Sequence, residues 1–419
     1  MNIWNKQYET MDRNEIEQLQ LERLQITVIR AYRNVSFYRK LFDEANLIPE
    51  EINSMEKLAM IPFTSKETLS QSYPYGMFAV PLREIVRLQC TSGTTEKPIV
   101  VGYTKNDLEH WTEVCARVLT ASGITKDDVV QICLDYGLFG GGLGFHYGAE
   151  LIGASVIPAP NLDPEKQLLI MRDYHTTVLI STPTFALRLV KVLRKKRISP
   201  ANFHLKIGVF TGEPFPETVR EKIEEELNII ATENYGLSEI ANPGVAVECK
   251  EKSGLHIFED QFIPEIIDPC SKKILPLGQE GELVLTTITK EGFPLLRYRT
   301  GDITSLDASL CPCGRNLIRM KKVKGRTDDM MVINGVSLFP SQIGQILAKI
   351  IGEAQPHFRL SVNREETGDI LEVLVEVSEK IFFDEMKKLV EIKTRIESEI
   401  YHLLSIKAKV KLVEPDLLS

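Results

Sequence analysis

The chain has 419 residues, 43% of them apolar and 26% charged, which is the composition of a globular protein and excludes disorder as the main state. Fifty Lys and Arg against 58 Asp and Glu leave a formal charge of −8, which excludes a protein living on non-specific nucleic-acid binding. No apolar run reaches the ~18 residues of a membrane span, and the first twenty residues hold no apolar signal core. The seven cysteines are too few and too odd in number for a disulfide scaffold, so reduced thiols in the cytoplasm are expected.

In chain order, Ile16, Leu19, Leu24, Val28 and Ala31 recur at helical spacing and predict an amphipathic opening helix. Thr64-Ser65-Lys66-Glu67 has the form of a capping box, with Thr64 as the cap of a second helix. Between Val86 and Lys290 short β-like runs alternate with helical stretches. Residues 129–134, 155–158, 178–181 and 207–210 read as buried strands, and 183–196 and 216–227 as helices. That alternation predicts α/β layers around a largely parallel sheet. After Arg326 the pattern predicts a helix over 340–351, strands over 358–362 and 370–377, a helix over 381–404 and a last strand over 408–413. The expected domains are therefore 1–325 and 326–419.

Cys90-Thr91-Ser92-Gly93-Thr94-Thr95-Glu96-Lys97-Pro98 follows a β-like run. Small hydroxylated residues, a glycine and Lys97 let backbone N–H groups approach an anion, although the Walker pattern is absent. On composition alone a surface turn is an equal reading. Four more runs follow in order: Thr211-Gly212-Glu213-Pro214, Asn234-Tyr235-Gly236-Leu237-Ser238-Glu239, Arg297-Tyr298-Arg299-Thr300-Gly301-Asp302, and Lys324-Gly325-Arg326-Thr327-Asp328-Asp329 with Asn334-Gly335-Val336.

Together these runs resemble the adenylate-forming enzymes: acyl- and aryl-coenzyme A synthetases, adenylation domains of peptide synthetases, and luciferases. Within them the chain is similar to the phenylacetate–coenzyme A ligase family. The closer likeness lies in Tyr136 to Glu150, Tyr235 to Glu239, Pro294 to Asp302 and Asp328 to Gln342.

The resemblance implies an α/β fold with a large N-terminal ATP- and acid-binding domain of layered sheets and helices, plus a small mobile C-terminal α/β domain that rotates as a lid. It implies ATP-dependent ligation of an aryl or arylacetic acid to coenzyme A through an acyl-adenylate, with release of AMP and pyrophosphate. Thr91, Ser92, Gly93, Thr94, Thr95 and Lys97 are expected at the β- and γ-phosphates, with Glu96 in a place the family gives to glycine. Gly212, Glu213, Pro214, Asn234, Tyr235 and Gly236 are expected around adenine. Asp302 is expected on the ribose, Arg326 on ribose or phosphate, and Ser238 on the α-phosphate or the acid. Glu239 is the expected Mg²⁺ ligand, Asp328 the hinge, and Gly335, Val336 and Ser337 the border of the coenzyme A channel. Tyr136, Phe139, Gly142 and Phe145 are expected to wall the acid pocket. A homodimer is plausible from the family.

Cys249, His256, Cys311 and Cys313 form a Cys₃His set suited to one structural Zn²⁺, because four protein ligands leave no open position; thiols without a metal are the alternative reading, and Cys270 is a rival ligand. Cys270 reads as a hairpin tip in solvent, and Cys90, Cys115 and Cys133 as core residues. One departure from the family concerns the C-terminal lysine of the adenylation step. Lys407, Lys409 and Lys411 lie within the final strand, so either truncation or slow adenylation is expected. Two further readings stay open here: an adenylyltransferase that makes no thioester, and a non-catalytic nucleotide-binding sensor.

Overall fold

The computed structural model describes residues 3–91, 97–138, 141–329, 331–333, 336–338, 340–365, 368–377, 386–404, 406–414 and 417–418. It divides into two compact units. The first comprises Met1–Phe215, Ile223–Thr300 and Thr304–Lys322, and the second Pro216–Lys222, Gly301–Ile303 and Val323–Ser419.

The first unit carries a small antiparallel hairpin of β1 (Arg87–Cys90) and β2 (Val100–Tyr103). Its centre is a nine-stranded sheet. The strands are β3 (Val129–Ile132), β4 (Ser155–Pro158), β5 (Val178–Ser181), β6 (Ile207–Phe210), β7 (Ile230–Leu237), β8 (Ala241–Glu248) and β9 (Leu255–Ile257). Between β9 and the sheet's last two members the chain forms an antiparallel pair, β10 (Phe262–Ile267) with β11 (Gly281–Thr287), and then β12 (Tyr298–Thr304). The sheet is completed by β13 (Leu306–Asp307) and β14 (Arg319–Met320), in the order β13-β14-β9-β8-β7-β6-β5-β3-β4.

The pairs among β3 to β7 are parallel, and β7–β8, β8–β9 and β9–β14 are antiparallel. All four residues of β5, Val-Leu-Ile-Ser, are buried, as expected of a strand covered on both faces. β4 corrects the expectation of a buried strand. It is the sheet's edge, and its outer residues Ser155 and Pro158 are exposed, a position where proline costs no ladder bond.

Helices cover the sheet because their caps and apolar faces agree. Thr104 and Asp107 exchange the two bonds of a capping box at the start of Lys105–Ala121. Thr182 caps Pro183–Lys196, with proline at the first helical turn and three basic residues in the last. The opening helix Arg13–Asn34 buries Ile16, Gln20, Leu24, Val28 and Ala31. Gln20 replaces the expected Leu19 on the inner face, its Nε2 bonded to the carbonyls of Glu259 and Phe262. The capping box at 64–67 is also corrected by one residue. Ser65 caps Lys66–Gln71, while buried Thr64 gives its hydroxyl to the Leu296 carbonyl at 2.7 Å.

The second unit holds β15 (Gly325–Arg326), which pairs with Asp302 and Ile303, and the hairpin of β16 (Met331–Ile333) with β17 (Val336–Leu338). Its main sheet is β18 (Phe358–Glu365) antiparallel to β19 (Gly368–Glu376), with β20 (Ala408–Val413) parallel to β19. Leu371, Val373 and Val375 alternate inward on β19, the period-two pattern of a half-buried strand. They meet Ile343, Ile346 and Leu347 of the helix Pro340–Ile351, and Ile396 and Ile400 of the helix Met386–Leu404.

Candidate active site

In the parallel half of the large sheet, strands β3, β5, β6 and β7 end on one edge, where crevices for ligands form in such sheets. The segments leaving that edge are Cys133 to Tyr136, Thr182, Thr211 to Pro214 and Asn234 to Glu239.

Gly212 has φ +81°, a conformation that favours glycine. Next to it the Glu213 carboxylate accepts from the Thr184 N–H at 3.0 Å. That adds a second cap to the helix Pro183–Lys196 and ties the 211–214 loop to its N-terminus. Thr211 Oγ1 is buried with no hydrogen-bond partner among the described residues. On β7, Asn234 is 2% exposed, and its Nδ2 donates to the Ala246 carbonyl at 2.9 Å. Its Oδ1 is buried and has no hydrogen-bond partner among the described residues. Tyr235 faces Ala246 across the ladder, and the register slips between Tyr235 and Leu237. Gly236 permits that slip, since a Cβ there would lie 2.6 Å from the Ala241 carbonyl oxygen.

Ser238 and Glu239 occupy the turn into β8. Glu239 is 7% exposed. Among the described residues its carboxylate has no hydrogen-bond or ion-pair partner. A carboxylate on a mostly buried residue, with no donor of its own among the described residues, fits a hard cation that takes carboxylate and phosphate oxygens.

Of the 91–97 loop, Ser92, Gly93, Thr94 and Thr95 lie outside the described residues, as does Glu96. Its base is closed by Thr91 N–H to Ile99 O at 3.0 Å and Ile99 N–H to Thr91 Oγ1 at 3.2 Å. The Lys97 carbonyl accepts from Ser70 Oγ.

At the acid-pocket segment, Phe139 lies outside the described residues. The Tyr136 ring lies against Gly142, where a Cβ would come within 2.9 Å of it. The hydroxyl of Tyr136 bonds His146 Nδ1 at 3.2 Å, and His146 Nε2 bonds Glu150 at 3.1 Å. Phe145 is fully buried. It lies on the helix Gly142–Ile152, which Gly144 brings against Pro243, Trp111 and Cys115.

In the second unit, Asp302 on β12 faces Arg326 on β15. Arg326 Nη1 reaches Asp302 Oδ1 at 2.8 Å, and its Nε reaches Asp328 Oδ1 at 2.9 Å. Gly335 lies outside the described residues. Val336 and Ser337 lie on β17, paired with Ile333 and Val332.

Cys249, His256, Cys311 and Cys313 come together with all four ligand atoms within 4.8 Å of one another, and all four are buried. All three cysteines are free thiols. The Cys249–Cys311 sulfur distance is 3.8 Å, and Cys313 Sγ lies 3.4 Å from His256 Nε2. A tetrahedron with 2.3 Å Zn–S and 2.0–2.1 Å Zn–N bonds has edges of roughly 3.8 and 3.5 Å. Hydrogen bonds from Cys249 and His256 hold the Cys313 thiol well below its usual range. Of the other cysteines, Cys115 is buried, Cys90 and Cys133 are half-buried, and Cys270 is exposed.

Residues 6–289 match the model of the AMP-binding enzyme family, and residues 335–419 match the AMP-binding enzyme C-terminal domain. The phenylacetate-coenzyme A ligase of Thermus thermophilus is 45% identical over 91% of this chain and 85% of its own. That of Aromatoleum evansii is 42% identical over 97% and 92%. The chain belongs to the phenylacetate–coenzyme A ligase family of AMP-binding enzymes. Membership makes it an AMP-forming acid–coenzyme A ligase, with ATP and coenzyme A as co-substrates. A crystal structure of 2-hydroxyisobutyryl-CoA ligase, in the postadenylation state with 2-HIB-AMP, superposes with TM-score 0.89 at 28% identity, covering all of this chain and 90% of that one. No helix among the described residues is long and apolar enough to cross a membrane.

Sequence reasoning missed Lys290. It is 8% exposed and donates from Nζ to the Glu239 carbonyl at 3.2 Å. Burial pushes its pKa down to about 8. The only signal was a lysine in the turn Thr289-Lys290-Glu291-Gly292, which reads as a solvated loop. Arg297 and Arg299, part of a family motif, are structural: they pair with Glu265 at 2.9 Å and Glu282 at 2.5 Å.

Proposed function

We propose that the acid is phenylacetate or a close arylacetic acid, the substrate class named for the relatives at 42–45% identity. In the first half-reaction a carboxylate oxygen of the acid bonds to the α-phosphorus of ATP, and the bond to pyrophosphate breaks. In the second, the sulfur of coenzyme A bonds to the acyl carbon, the bond to AMP breaks, and the thiol proton passes to solvent. The protein forms no covalent intermediate, so its work is orientation and charge stabilisation.

The observation that carries this reading is the pair of buried polar atoms at the ends of the parallel strands, Thr211 Oγ1 and Asn234 Oδ1, which have no hydrogen-bond partner among the described residues, with the Glu239 carboxylate on the turn that follows Asn234. Buried groups of this kind are paired in most proteins, so here they favour a polar ligand. Asn234 and Tyr235 with Gly212, Glu213, Pro214 and Gly236 take the adenine. Thr91 to Thr95 and Lys97 take the outer phosphates. Ser238 orients the acid carboxylate against the α-phosphate. Asp302, an acceptor-only carboxylate, suits the ribose diol, and Arg326 assists it. Asp328 is the hinge of a C-terminal lid over 326–419, with Gly335, Val336 and Ser337 bordering the thiol's path. Tyr136, Phe139, Gly142 and Phe145 shape the acid pocket. Glu239 would hold Mg²⁺, which would supply charge neutralisation at the phosphates. Zn²⁺ at the Cys₃His set supplies cross-linking only. Reduced thiols at every cysteine suit a cytoplasmic protein.

Pyrophosphate exchange over a panel of acids tests the assignment. The reading expects exchange with phenylacetate well above that with acetate or a long-chain acid. Equal exchange with all three overturns it.

A further inference from the structure

We propose that Lys290 is a positioning residue for Glu239: it anchors the β7–β8 turn from behind and keeps the glutamate ready for a divalent cation. The proposal rests on the reading of Glu239 as the metal carboxylate.

A lysine this buried is normally matched by a carboxylate. Among the described residues Lys290 makes no ion pair. Asp107, a carboxylate that acts on the ammonium through space, is committed elsewhere. Its Oδ1 accepts from Glu291 N–H at 2.7 Å, and its Oδ2 from Gly292 N–H and Thr104 N–H, both at 2.9 Å. Asp107 thus clamps the backbone beside the lysine and acts on its charge through space, without an ion pair. The side chain passes over the faces of Tyr103 and Phe293, with Nζ 4.8 and 5.7 Å from their ring centres. It ends on one oxygen, the Glu239 carbonyl.

That contact has two consequences. The bond fixes the peptide plane of Glu239 in a turn only three residues long, between Leu237 and Ala241. The bond also places a positive charge on the turn that carries the carboxylate. The support runs in sequence: the capped helix start at Thr104–Asp107 holds Glu291 and Gly292, Lys290 holds Glu239, and Glu239 would meet the cation. A small cavity of about 30 Å³, lined in part by Tyr103, His110, Ile240 and Lys290, adjoins the ammonium. It gives a longer guanidinium room.

The test is Mn²⁺ binding, followed by electron paramagnetic resonance, to enzyme saturated with a non-hydrolysable ATP analogue. Losing an outer support of a metal ligand typically costs 10–100-fold in affinity. Lys290→Met is expected to weaken Mn²⁺ about 10-fold, and Lys290→Arg to stay within about 3-fold of wild type, both with unchanged affinity for metal-free analogue. If Lys290→Met does not fold, Lys290→Gln is read instead, with an expected loss of at least about 3-fold. Glu239→Gln separates the two ideas. If it weakens Mn²⁺ while the lysine variants bind normally, the Lys290 proposal is overturned and the Glu239 reading stands. If Glu239→Gln binds Mn²⁺ as wild type does, the Glu239 reading itself is overturned.

Discussion

Arg326 donates to Asp302 at 2.8 Å, and the same guanidinium reaches Asp328 at 2.9 Å. One cation therefore links the carboxylate assigned to the ribose with the residue assigned to the hinge. Hydrogen bonds to a charged group are worth about 1.5–3 kcal/mol, or roughly 10–100-fold in affinity. Asp302→Ala is expected to raise KM for ATP within that range and leave KM for the acid nearly unchanged. Initial-rate kinetics with each substrate varied checks this. Arg326→Lys is expected to behave as a disruptive change, because a lysine cannot bridge two carboxylates in a planar fork.

The Cys₃His cluster should hold about one zinc per chain. Elemental analysis of the purified protein measures it, and Cys311→Ser retaining full zinc would contradict the assignment. The knuckle also anchors the start of the chain. Arg315 Nε meets the buried Glu9 carboxylate at 2.5 Å, and the Asn316 N–H meets the Glu9 carbonyl at 2.9 Å. Chelating the metal is therefore expected to speed amide exchange in Lys6–Glu9 as well as at 311–316, read by hydrogen-exchange mass spectrometry.

Lys290 gives the stability a pH dependence of definite sign. Its folded pKa of about 8 lies below the usual 10.5, so the unfolded chain binds this proton more tightly. The penalty is fully present below pH 8 and is relieved between about 8 and 10.5, an effect on the order of 3 kcal/mol. Asp107 and Glu239 act on it in the opposite sense to burial. His110 lines the same cavity. Wild type should gain Tm relative to Lys290→Met as pH rises from 7.5 to 9.5. Parallel thermal melts at the two pH values measure this.

Much of the scaffold could be read from local pattern. Strands β4, β5 and β6 and the helices Pro183–Lys196 and Pro340–Ile351 lie where periodicity puts them, since apolar run, cap and breaker agree there. β7 was not visible as a strand. Asn234-Tyr235-Gly236 looks like a turn, and it is the long-range pairing with β8 that makes it a ladder. The Cys₃His donors could be chosen by residue type alone, although their segments are far apart in sequence. Buried Lys290, and the Arg117–Asp260 pair at 2.7 Å with both side chains 1% exposed, could not. A charged residue's partner is set by tertiary packing, and no periodicity encodes it.

Gly142 tests the acid-pocket assignment. A Cβ at this position lies 2.9 Å from the Tyr136 ring and 2.9 Å from the Asp135 carbonyl oxygen, so the ring must move. Gly142→Ala is expected to raise KM for the arylacetic acid about 10-fold, given the 1–3 kcal/mol typical of a misfitted pocket contact. KM for ATP should change little. Equal effects on both constants would place Tyr136 outside the acid pocket.

The most direct measurement follows AMP and acyl-coenzyme A together, by mass spectrometry, in a mixture of enzyme, ATP, Mg²⁺, phenylacetate and coenzyme A. The expected result is stoichiometric AMP and phenylacetyl thioester, with turnover lost when either the acid or the thiol is withheld. AMP released at one rate with and without coenzyme A, and no thioester, would contradict the ligase account.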